Sequence, residues 1–67
     1  MSVLKVIEVM ASSGQSWEDA VKNAVNTAGK TLKGIRSVWI QDQSAVVKDG
    51  NITEFRVTCK ITFEVFD

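Results

Sequence analysis

Few side chains in this sequence could do chemistry, and those few suit recognition rather than catalysis. Histidine is absent and Cys59 is the single cysteine. Ser/His and Cys/His nucleophile pairs, the usual zinc sites and an internal disulfide are therefore excluded. The carboxylates Glu8, Asp42, Asp49, Glu54 and Glu64 are dispersed and lack the spacing of a calcium loop, so no metal site is expected inside one subunit. Symmetry axes in an oligomer could still gather copies of one carboxylate. The stretch "SSGQS" precedes a helix start but has neither the lysine nor the full spacing of a phosphate-cradling loop. What remains is Trp39 in "SVWIQDQ", with Gln41 and Gln43 beside it and Arg56 on a later segment. An indole offers a face for stacking, a primary amide offers donors and an acceptor, and a guanidinium suits a phosphate, a carboxylate or a ring face. No enzyme is expected.

The elements that would position these groups follow from the pattern. "SVLKVIEVM" is rich in β-branched residues and reads as a first strand of about nine residues. Leu4 and Val6 lie on one of its faces and Ile7 and Val9 on the other, which predicts burial on both sides. "ASSGQ" reads as a loop. In "SWED", Ser16 caps a helix, Asp19 holds the capping-box position, and Glu18 and Asp19 favour the positive helix end. Trp17, Ala20, Val21, Ala24, Val25, Ala28 and Leu32 recur at helical spacing, and Gly34 supplies a left-handed terminal residue. The helix is predicted from Trp17 to Lys33.

Beyond Ile35 the period becomes two. Phe55, Val57, Cys59, Ile61, Phe63 and Val65 share one face of the last strand, and Glu54, Arg56, Thr58, Lys60, Thr62 and Glu64 the other. Asp49-Gly50 is a two-residue hairpin turn that pairs Lys48 with Asn51. That register sets Val38 against Ile61 and Ile40 against Cys59. It also sets Trp39 against Lys60, Gln41 against Thr58 and Gln43 against Arg56, all on the face turned from the helix. The expected fold is α+β, in the order β-α-β-β: a three-stranded antiparallel sheet, C-terminal strand central, with one helix across one face.

A chain of 67 residues is near the lower limit for a core that stands alone. With no disulfide or structural metal to reinforce it, oligomerisation is the expected device. Eight basic and eight acidic residues leave no net charge, so nucleic acid and anionic membrane surfaces are not the expected partners. The apolar runs are too short for a membrane helix, and a cytoplasmic protein of one domain, residues 1–67, is expected. Cys59, on the apolar face, reads as a small inert hydrophobe.

The opening "KVIEVMASSGQSWEDAVKNAV", the "KTLKGIRSV" and the closing "DGNITEFRVTCKITFEV", in this order and over almost the whole chain, resemble the dodecin family. The resemblance implies a hollow homododecamer that is not an enzyme. Paired subunits would bind and store a riboflavin-like flavin between them, with a tryptophan stacked on the ring and a glutamine on its polar edge. Aligned without gaps, the family's tryptophan position falls on Ser37 and its glutamine position on Arg56, which marks a divergent member. Trp39 lies two residues beyond, on the same face as Ser37. The candidate ligand-binding residues are thus Ser37, Trp39, Gln43 and Arg56, with a flavin as the candidate ligand. Two readings of Trp39 stay open: an anchor between subunits, or a platform for a planar ligand. A structural assembly of the same fold that has lost flavin binding is the alternative function.

Overall fold

The computed structural model describes residues 3–66. Strand β1 (Val3–Ser13) leads into helix α1 (Trp17–Ala28), followed by β2 (Ile35–Lys48) and β3 (Asn51–Val65). The three strands form one antiparallel sheet in the order β1-β3-β2. This is the expected α+β architecture with the C-terminal strand central.

The strand expected to end at Met10 continues to Ser13, because Ala11, Ser12 and Ser13 pair with Val57, Arg56 and Phe55 of β3. Ser2, included in that expected strand, lies outside the described residues. The longer strand changes the helix entry. Ser16 does cap α1, accepting from the Asp19 backbone N–H at 3.0 Å. The Asp19 carboxylate, however, turns away from a capping box and accepts from the Ser13 hydroxyl at 2.7 Å. Ser13 Oγ accepts in turn from the backbone N–H groups of Gln15, at 2.9 Å, and Ser16, at 3.5 Å. Ser13 is buried, and this set satisfies it.

The helix stops at Ala28, five positions short of the predicted Lys33. Gly29 is the reason: a glycine inside a helix costs about 1 kcal/mol relative to alanine, and the chain tightens there instead. Lys30 and Thr31 donate to Thr27 and Ala28 across three residues, and Leu32 donates to Ala28 at 2.9 Å. The tightened turn keeps Leu32 on the sheet side, which is why the apolar stripe outlasts the helix. Gly34 adopts the expected positive φ, 73°, but as a linker into β2 rather than as the helix terminus.

The β2–β3 hairpin turns at Asp49 and Gly50, with φ of 52° and 80°. Positive φ at both positions matches the right-handed twist of the flanking strands. Lys48 pairs with Asn51, Ile40 with Cys59, Trp39 with Lys60 and Val38 with Ile61, as the alternation predicts. Between these anchor points the register slips and recovers. Gln41 is an extra residue on β2, and a second irregularity between Val46 and Val47 restores the pairing. In the slipped stretch Asp42 faces Thr58, Gln43 faces Val57 and Ser44 faces Arg56. The expected pairings of Gln41 with Thr58 and Gln43 with Arg56 are therefore corrected, and Gln43 lies on the helix side, the face of Val57.

The core between helix and sheet is small: Ala20 and Ala24 lie on Val57 and Cys59, with Val9, Ala11, Trp17, Val21 and Val38 around them. Ile61 is also fully buried. On the other side Val6, Met10 and Trp39 are more than half exposed, so the two-sided burial of β1 is not achieved within one chain. The hairpin extends well past the helix. The radius of gyration is 13.7 Å, against roughly 11 Å for a compact chain of this length. A fold this open buries little apolar surface, the quantity on which the stability of so short a chain chiefly depends.

Candidate functional site

The open face of the sheet carries the strongest recognition chemistry. β3 presents Lys60 at its centre, Thr62 to one side and Thr58 and Arg56 to the other. β1 adds Leu4, Val6, Glu8 and Met10, and β2 adds Ser37 and Trp39. Trp39 is 63% exposed, and the Lys60 Nζ stands over its ring, 5.4 Å from the centroid. An indole held open in this way presents a large, rigid, apolar face.

The expected site residues separate into three places. Ser37 and Trp39 share the open face two residues apart, opposite Thr62 and Lys60. Arg56 lies on the same face, but the distance along β3 from its row to the Trp39 row is roughly 13 Å at the rise of a β-strand. Its guanidinium is half exposed, with Nη2 3.8 Å from Glu54 Oε2. Gln43 is on the opposite face. There it lines a groove of about 440 Å³ with Trp17, Glu18, Val21, Lys22 and Ile40. One chain therefore holds a Ser37–Trp39 patch, and Arg56 of the same chain does not reach it.

Two further residues shape the open face. Lys60, which the alternation and the register already place on this face opposite Trp39, lies against the Trp39 ring. Arg36 is the extra residue at a third register irregularity, between Ile35 and Ser37, and binds the Glu64 carboxylate through both Nε and Nη2. This pair closes the patch at the Ser37 end. Trp17 has a structural role: its Nε1–H donates to the Ser44 carbonyl at 2.8 Å, and its ring meets Phe55 edge-on with centroids 4.9 Å apart.

No group of three or more Cys, Asp or Glu side chains comes together among the described residues. Cys59 is buried among apolar side chains, and that burial pushes its thiol pKa up, away from the reactive thiolate. No helix of the described residues is long and apolar enough to cross a membrane.

With this geometry in hand, the chain can be set beside known proteins. The dodecin family model matches residues 3–66. The chain belongs to the dodecin family. The calcium dodecin of Mycobacterium tuberculosis is 31% identical over 65 residues, covering 97% of this chain and 92% of the relative. A crystal structure of calcium dodecin from that organism, which carries a calcium-binding site, matches with a TM-score of 0.84 and 32% identity, over 97% of this chain and 93% of its own. The dodecin of Streptomyces coelicolor matches with a TM-score of 0.95 and 26% identity, over 98% and 94% of the two chains. The dodecin fold is therefore shared over nearly the full length.

Proposed function

We propose that this dodecin is a non-enzymatic, cytoplasmic binding protein: one domain that assembles into a hollow homododecamer and holds a small planar ligand, a flavin, between subunits. The observation that carries the reading is Trp39, a residue 63% exposed on a sheet face that no described element of its own chain covers. A tryptophan there loses apolar contact unless a second copy or a planar molecule covers it. Both readings of Trp39 meet at an interface, where a ring can stack while subunits enclose it.

The site is Ser37 and Trp39 from one subunit, with Arg56 supplied by another. The wide separation of Arg56 from Trp39 within one chain supports that division. Gln43, on the helix side, is not included. Ser37 offers little stacking area and Arg56 only donors, so riboflavin binding should be weak. A structural assembly without a ligand is the second reading, favoured by those same two residues. The calcium of the Mycobacterium tuberculosis relative is not carried over as a site within one subunit, since the carboxylates among the described residues are dispersed. Light scattering after size exclusion, with a riboflavin fluorescence titration of the same fraction, tests both parts: a colourless monomer without quenching would refute the proposal.

A further inference from the structure

We infer that Lys60 sets the charge preference of the Trp39 face, screening it against neutral planar molecules and admitting those that carry an anionic group close to the ring. The inference rests on the reading of Trp39 as a ligand platform and names the class of ligand it takes. Its basis is the placement of one ammonium group. Lys60 sits on the central strand with Glu8 directly opposite on β1 and Trp39 directly opposite on β2. It makes no ion pair among the described residues, where the pairs are Lys22–Glu18, Arg36–Glu64 and Arg56–Glu54. Its Nζ lies instead over the indole, 5.4 Å from the ring centroid. The cation is thus held by the face that a ligand would need.

Two kinds of ligand meet this arrangement differently. A neutral ring that stacks on the face of Trp39 over which the ammonium stands must displace it and gives it no charged partner in return. A ring with a carboxylate or similar anion near its edge also displaces it, but then receives a charge-assisted hydrogen bond from the same group. The surroundings orient such an anion. Glu8 and Asp42 repel it from the β1 side and from the Thr58 row, whereas Ser37 and Thr62 form a neutral hydroxyl row beside Trp39. Arg36 does not compete for it, being held by Glu64. The anion is therefore expected between Lys60 and the Ser37–Thr62 row.

Two probes that share one ring decide the matter: lumiflavin, which is neutral, and lumiflavin-3-acetate, which carries a carboxylate one methylene from the ring. Each is titrated by fluorescence quenching into the assembled wild type and into assembled Lys60→Met and Lys60→Gln variants, at low and high salt. The wild type should bind the acetate at least fivefold more tightly at low salt, and salt should narrow the difference. Either neutral variant should bring the ratio to about one without weakening lumiflavin, and Lys60→Arg should retain most of it. Equal binding of the two probes by the wild type, or a ratio that survives loss of the Lys60 charge, would overturn the inference and leave the platform reading standing. Failure of the assembled wild type to bind either probe would overturn both.

Discussion

The Ser13 hydroxyl donates to Asp19 Oδ2 at 2.7 Å, tying the last residue of β1 to the first turn of α1. Ser13 is buried, and its oxygen also accepts from the Gln15 N–H, so loss of the hydroxyl would strand more than one partner. Ser13→Ala should destabilise the fold by about 1–3 kcal/mol. Asp19→Ala should cost about as much, and the double variant less than the two single losses added together. Chemical denaturation of the four proteins measures the coupling; strict additivity would show that the pair is not a unit.

Gly34 and Gly50 both hold positive φ, 73° and 80°. A Cβ at Gly50 would meet open space, whereas one at Gly34 would come within 2.7 Å of the Phe66 ring. Because Phe66 is 62% exposed, its ring has room to swing aside. Alanine should therefore cost about 1–2 kcal/mol at either site, set by the backbone alone. A much larger loss at Gly34, read from denaturant midpoints, would mean that the ring is pinned, as by a neighbouring subunit.

Burial both hides the Cys59 thiol and raises its pKa. The neutral thiol is the form the fold favours, so its contribution to stability is complete at neutral pH. That contribution is lost as pH rises past the ordinary thiol range toward the higher folded value. Iodoacetamide at pH 8 should label the native protein far more slowly than the urea-unfolded chain, with mass spectrometry as the readout. Equal rates would contradict the packing of β3 against α1.

The β-strand pattern of Phe55 to Val65, the Asp49-Gly50 turn and the Ser16 cap were legible because each is a local signal with one physical solution. The ends of α1 and β1 were less so. Gly29 interrupts a stripe that continues to Leu32, and Ser12 and Ser13 have loop-like side chains but strand partners on β3. Uniform alternation along β2 puts Gln43 on the open face, whereas the extra residue Gln41 turns it to the helix side. One signal was present: Val38 and Ile40 point inward at even positions and Ala45 at an odd one, which requires an extra residue between them. The hold of Lys60 on Trp39 is not written in the pattern, since register brings two residues together without saying which neighbour a flexible side chain chooses.

The changed family positions can be tested by restoring them. Ser37→Trp with Arg56→Gln should strengthen riboflavin binding at least tenfold, about 1.4 kcal/mol, from one stacked face and one neutral amide. The rows of Ser37 and Arg56 stand roughly 20 Å apart along β3, so the two changes cooperate only across a subunit boundary. Trp39 stands two residues from the new ring on the same face and crowds it, so a third protein adds Trp39→Glu. No gain in either assembled variant would show that Ser37 and Arg56 do not line the pocket.

Trp39 itself gives the most direct measurement: a riboflavin fluorescence-quenching titration of wild type and Trp39→Ala, each first sized by light scattering. The wild type should run as a large homo-oligomer and quench riboflavin weakly, and Trp39→Ala should abolish the quenching or weaken assembly by about 2 kcal/mol or more. An assembled Trp39→Ala protein that binds riboflavin as the wild type does, or a wild type that stays monomeric at micromolar concentration, would contradict the account.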